Sequence, residues 1–205
     1  MPILFPNAGS VESSEYPNLK QHGFARSMKW QGKREINGFY EVLNSDSDSK
    51  KIFPFDFRCG VGGEFKKDGS FTIVQSVKNL EDEKELPISM GFHPYFKVPH
   101  DLKKDIKFNF AGGDFIKENI QKWAHDKYIS INNPNTPMEV IIPNLGTLVF
   151  HVSKEYKKIW IWSQSGKDFI CIEPVMRDPG GLIENPEKIK VGDTLSAYLS
   201  ISLKE

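Results

Sequence analysis

Apolar and polar residues alternate along most of this chain with a period of two. The clearest case is Asp105-Ile-Lys-Phe-Asn-Phe110, in which every second residue is apolar, the pattern of a strand with one face in a core. Phe71–Asn79 is β-branched and half polar, as expected of a sheet with one wet face. Met138–Ile142 and Thr147–Val152 flank Pro143-Asn-Leu-Gly146, whose residue types predict a hairpin connection. Lys158–Ser163 and Asp168–Glu173 follow, separated by a glycine-containing turn, and Leu195–Leu203 closes the chain with long alternation. The aromatic stretch Lys51–Arg58 reads as a further strand. Helical periodicity over three turns is found nowhere. Many short strands and frequent turns predict an all-β, mostly antiparallel β-sandwich, a single domain over residues 1–205. Asn44–Lys51 reads as a polar hairpin tip, Leu80–Leu86 as an acidic loop, and Gly60-Val-Gly-Gly63 as a hairpin loop.

Composition narrows the class. The 205 residues carry 27 Lys and Arg against 27 Asp and Glu, so the formal net charge is zero. That balance disfavours nucleic acid or an anionic membrane as a partner, since either is captured through basic excess. Fifteen Phe, six Tyr and four Trp are too many for a disordered chain. Two cysteines, Cys59 and Cys171, form no disulfide framework and no metal-type spacing, which predicts a reducing, cytoplasmic setting. No apolar run is long enough to span a bilayer, and the first six residues lack a basic signal-peptide start.

Three segments depart from ordinary strand or turn sequence. In Gln21-His-Gly-Phe-Ala-Arg26, a histidine beside glycine can bring an imidazole and bare backbone close to a ligand, while Arg26 offers a guanidinium fork. A β-turn with a solvated arginine fits the same spacing. In Met90-Gly-Phe-His-Pro-Tyr-Phe96, His93 sits in an aromatic, uncharged stretch that lowers its pKa, and Pro94 holds it extended at a strand end. A core histidine bonded to a carbonyl is the plain alternative. In Phe169-Ile-Cys-Ile-Glu-Pro-Val175, Glu173 ends an alternating strand, so a carboxyl at the edge of an apolar layer should have a raised pKa. The plain alternative there is an edge glutamate paired with lysine. A raised Glu within reach of a His is an acid/base pair poised near neutral pH. Trp160 and Trp162 share a strand face and suit either a sugar platform or a core pair. His100, His125 and His151 show no ligand spacing, so no metal site is read.

Together these segments resemble the aldose 1-epimerase (galactose mutarotase-like) family, in particular its lacX-like and hexose-6-phosphate-mutarotase-like branches. The resemblance runs in order through Pro2–Gly9, Tyr16-Pro17, Gln21–Arg26 with Trp30, Phe53–Phe57, Gly91–Phe96, Phe169–Pro174 and Val191-Gly-Asp-Thr194. It implies a large antiparallel sandwich and interconversion of the α and β anomers of an aldohexose or hexose phosphate, with no metal or organic cofactor. Carried over by motif, Glu173 resembles the family's general base at the anomeric hydroxyl and His93 its general acid at the ring oxygen. His22 resembles the second histidine near the ring oxygen, and Arg26 the arginine that helps hold a phosphate. Arg177 and Asp178 fall where the family's loop approaches the sugar. The family's substrate-binding aspartate is left open between Asp114, Asp126 and their loop.

Against the family pattern the chain looks N-terminally shortened, and a homodimer that covers the exposed edge is an expected partner arrangement. The expected ligand is a small sugar or sugar phosphate. The competing expectation is a carbohydrate-binding sandwich without catalysis.

Overall fold

The computed structural model describes residues 1–204, with Lys122 and Ala124 described by backbone alone; Glu205, the last residue of the expected domain, lies outside the described residues. In chain order the strands begin β1 (Ile3–Leu4), β2 (Gln31–Arg34), β3 (Gly38–Asn44), β4 (Phe57–Phe65) and β5 (Phe71–Asn79). There follow β6 (Leu86–Ile88), β7 (Gly91–Phe92), β8 (Tyr95–Lys97), β9 (Lys107–Asn109), β10 (Ile129–Asn132) and β11 (Met138–Ile142). The last are β12 (Gly146–Val152), β13 (Lys158–Trp162), β14 (Phe169–Val175), β15 (Glu187–Ile189) and β16 (Thr194–Lys204). Helical structure is confined to short pieces: α1 (Ser47–Lys50), α2 (Gly113–Glu118), α3 (Gly181–Glu184) and three 3₁₀ segments. Among the described residues no helix is long and apolar enough to cross a membrane.

The strands form two main sheets, and their pairings are antiparallel. The larger runs β2-β3-β4-β5-β16-β12-β11-β9, and the smaller runs β1-β7-β14-β13-β10 with β8 also on β14. A two-stranded ribbon joins β6 to β15. This is the expected antiparallel sandwich. The alternation read from the chain explains why it closes. Ile159, Ile161, Ile170 and Ile172 on β13 and β14 are buried in the main core, and that apolar area taken from water is what holds the sheets together. Phe150 of β12 and Phe96 of β8 meet edge to face at 5.5 Å, a contact between the two sheets.

Most strand expectations hold within a residue or two. β5 and β11 match their predicted bounds, and Asn144, at φ +65°, makes the predicted turn between β11 and β12. Other expectations are corrected. Gly60–Gly63 lies inside β4 rather than in a hairpin loop. Cross-strand pairing sets Phe39 opposite Gly63 and Tyr40 opposite Gly62. A Cβ at Gly63 would lie 2.5 Å from the Phe39 ring, so an aromatic ring occupies the space a side chain would take. Of Lys51–Arg58 only the end is strand; Phe53 is instead a fully buried core residue in a turn before β4. The polar stretch Asn44–Lys51 holds a helical turn because Asp46 caps it. The Asp46 carboxylate accepts from the Asp48 and Ser49 amides, and Ser49 Oγ accepts from the Asp46 amide. The β2–β3 hairpin carries no alternation signal, since all four residues of β2 are exposed.

Truncating the ring that joins the sheets is expected to be costly. Phe150→Ala should lower unfolding stability by about 3–5 kcal/mol, read as a shifted urea midpoint with an unchanged slope.

Candidate active site

The smaller sheet carries the site on the face turned away from the isoleucine core. Register sets Trp162 opposite Cys171 and Trp160 opposite Glu173, and β8 sets Tyr95 opposite Cys171. Phe169, Cys171 and Glu173 therefore share one face, as their spacing of two requires. Glu173 is only 2% exposed, because β14 is the middle strand of its sheet and its face is roofed by aromatic side chains.

His93 occupies the link between β7 and β8, where Pro94 follows it. The β7–β14 and β8–β14 pairings hold that link at both ends. The result is a contact of 3.5 Å between His93 Nε2 and Glu173 Oε1, with His93 at 7% exposure. The Tyr95 ring stacks on the imidazole at 4.8 Å and 6°, and the Trp162 ring meets it edge-on at 5.9 Å. Among the described residues, the buried His93 Nδ1 and Glu173 Oε2 find no hydrogen-bond partner, which is unusual for groups this deeply placed.

His22 reaches the same spot by a different route. Its backbone adopts φ +66°, and Gly23 follows at +69°. A side chain at Gly23 is impossible without rearrangement, since its Cβ would fall 1.9 Å from the Phe5 carbonyl oxygen. Asn7 closes the loop by donating to the carbonyls of Gly9 and Lys20. The Gly9 amide donates to His22 Nδ1 at 3.1 Å, so neutral His22 carries its proton on Nε2. The His22 and His93 rings stand edge to face at 5.4 Å. Arg26, exposed on the 3₁₀ turn Ala25–Ser27, donates to the Gln21 carbonyl.

Burial sets the electrostatics. Desolvation with nothing to offset it raises the Glu173 pKa to about 8. Desolvation, then the charge of Arg26, lowers His22 to about 4. Desolvation, then His22 and Arg26, lowers His93 to about 4. At neutral pH the cluster thus holds a protonated carboxyl beside an unprotonated imidazole, a pair sharing one proton.

Of the six residues singled out by motif, the fold brings His22, Arg26, His93 and Glu173 together. Arg177 and Asp178 are engaged elsewhere. The Arg177 guanidinium donates to the carbonyls of Met176 and Asn185 and to Glu187 of β15. Asp178 accepts from Ser130, Trp160 and Lys158. Burial would raise its pKa, but those hydrogen bonds outweigh it and hold the carboxyl below its usual value. Asp178 still touches the site face, through the indole of Trp160 opposite Glu173. Asp114 lies on α2, whereas Asp126, at φ +57°, accepts from the Trp162 indole at 3.1 Å. A non-glycine residue in the left-handed region beside a site aromatic is the signal that spacing alone did not supply.

A pH-dependent stability follows. The unfolded carboxyl ionises near its ordinary 4.5 and the folded one near 8, so between those values the unfolded chain holds fewer protons and stability falls as pH rises. Glu173→Gln, which cannot ionise, should raise Tm strongly at about pH 9 and little at about pH 5, a difference on the order of a few kcal/mol in thermal melts.

Solved structures with this fold were found by comparison. The chain is similar to the Slr1438 protein of Synechocystis sp. PCC 6803, with 24% identity and a TM-score of 0.79, covering 98% of this chain and 76% of that one. It is similar to a galactose mutarotase related enzyme from Lactobacillus acidophilus, with 20% identity and a TM-score of 0.79, over 100% and 82% of the two chains. A galactose mutarotase-like protein from Lactobacillus casei gives 19% identity and a TM-score of 0.77 over 99% and 84%. No curated protein matches in sequence. The sequence profile of the aldose 1-epimerase family matches residues 3–143, well over half of the 205 residues, and the chain belongs to that family.

Proposed function

We propose that this chain interconverts the α and β anomers of an aldohexose or a hexose phosphate by acid/base ring opening and closure. The observation that carries the reading is the buried contact of 3.5 Å between His93 Nε2 and Glu173 Oε1. Ring opening breaks the O1–H and C1–O5 bonds while forming C1=O1 and O5–H. One group must accept a proton at O1 as another delivers one at O5. Glu173 takes the O1 proton and His93 supplies O5; closure on the other face of the free aldehyde reverses both transfers. His22, with its Nε2 proton, donates near the ring oxygen. Among the described residues Arg26 donates to the Gln21 carbonyl alone, and has donors left for a hydroxyl or a phosphate.

The protonation pattern supports this chemistry. Resting Glu173 keeps its proton up to about pH 8, and resting His93 stays neutral down to about pH 4. The working arrangement, carboxylate plus imidazolium, contains the same single proton moved from one partner to the other. Sugar hydroxyls bonded to the carboxylate replace the hydration it lost on burial, and so favour the ionic form once substrate is bound. Tyr95, half exposed, together with Trp162 and Phe169 forms an aromatic wall beside the pair, suited to the apolar face of a pyranose. Asp126 stands beside Trp162 to accept from a sugar hydroxyl.

NMR exchange spectroscopy on α-glucose, α-galactose and their 6-phosphates tests the reading, with faster anomeric exchange than in buffer expected for at least one. Binding without exchange would instead establish a carbohydrate-binding sandwich. Glu173→Gln should slow exchange by about 10²–10⁴-fold with the fold retained, and full activity in that variant would remove Glu173 from the mechanism. The pH profile of kcat/KM should be flat between limbs near 4 and 8. Above the upper limb the pair has no proton for O5, and below the lower one it has no base; a rate that keeps rising above pH 8 would contradict the shared proton.

A further inference from the structure

Cys171 has no part in the proton transfers above, yet it stands beside both partners. One ligand atom from each of His93, Cys171 and Glu173 lies within 4.8 Å of the others, and all three residues are buried. Cys171 is a free thiol. Glu173 Oε2 has no hydrogen-bond partner among the described residues, although the residue is only 2% exposed. We propose that His93, Cys171 and Glu173 form a binding site for a thiophilic divalent cation, Zn²⁺ or Cd²⁺, and that the bound ion blocks the acid/base pair.

Imidazole, thiolate and carboxylate are the donor types that zinc takes. Bonds of about 2.0–2.3 Å in a tetrahedron set ligand atoms about 3.3–3.8 Å apart. The His93–Glu173 contact, at 3.5 Å, already meets that spacing. Cys171 closes the remainder by side-chain adjustment of about an ångström or less. The ligands are also held by regular structure. Cys171 and Glu173 alternate on β14, and His93 lies in the link that β14 pins on both sides. Coordination forms the metal–sulfur and metal–oxygen bonds and sends the thiol and carboxyl protons to solvent. Two anionic ligands then cancel the charge of the ion, so the filled site is neutral beside Arg26. Three protein ligands leave a fourth position for water.

An ion there occupies His93 Nε2 and the Glu173 carboxylate, the atoms a sugar needs. It should therefore act as an inhibitor competitive with sugar. That consequence rests on the mutarotase reading, whereas binding of the ion does not. Cadmium titration of the reduced full chain, followed by its sulfur-to-metal charge-transfer absorption, measures binding without any assay of catalysis. The expected result is a band that saturates at one ion per chain, disappears in Cys171→Ser, survives in Cys59→Ser and needs about tenfold or more cadmium in Glu173→Gln. With each chain's rate read against its own metal-free rate, Cys171→Ser should resist Zn²⁺ about tenfold better than the native chain. No band, or a band lost with Cys59 rather than Cys171, overturns the site. Should Cys171→Ser fail to fold, Cys171→Ala and Glu173→Gln carry the same comparison. A normal band with no sugar exchange would sink the mutarotase reading alone; exchange without a band would sink the metal site alone.

Discussion

Glu173 is a carboxyl withdrawn from water on a strand covered on both faces, and its partner His93 is withdrawn with it. Desolvation pushes the two groups in opposite directions, the acid up and the imidazole down. Neither carries charge at neutral pH, which spares the cost of taking an ionised carboxylate and an imidazolium out of water. The sheet order follows the same logic. Because β14 lies in the middle of the smaller sheet, its isoleucines face the main core and its Phe169, Cys171 and Glu173 face the aromatic layer.

The surrounding shell divides into parts that position and parts left free to bind. Asn7, the Gly9 amide and the close approach of Gly23 to Phe5 hold His22 in a left-handed conformation that few residues adopt. Arg177 is spent on Glu187 and two carbonyls, and so ties the end of β14 to the β6–β15 ribbon. Asp178 is spent on the outer part of the same sheet face, where Lys158, Ser130 and Trp160 converge on it. Arg26 is the contrasting case, an exposed guanidinium with one hydrogen bond to a backbone carbonyl. An arginine fully engaged within the fold stabilises it; one left mostly free at a site edge is available to a ligand.

An apolar groove of about 570 Å³, lined by Met1, Ile3, Trp30, Phe39, Val61 and Phe71 among others, runs beside β1. Its walls come from both sheets, with Ile3 from the smaller and Phe39, Val61 and Phe71 from the larger.

Period-two alternation was enough to identify the sandwich and to assign Glu173 and Cys171 to one face, because side-chain direction along a strand is a local property. The Pro94 restriction on His93 was legible for the same reason. Gly60–Gly63 and Lys51–Arg58 were not, since what decides them is tertiary: the Phe39 and Tyr40 rings laid across the glycines, and Phe53 drawn into the core. The engagement of Arg177 and Asp178 was likewise invisible, as their partners come from other strands. The sequence by itself therefore determined the strands and the face of its own strand on which a residue such as Cys171 or Glu173 stands. Only the tertiary structure decided that His93, Cys171 and Glu173 meet, because that meeting depends on β7 and β8 pairing with β14. Such pairing joins segments remote in sequence, and the water it excludes is what shifts their protons.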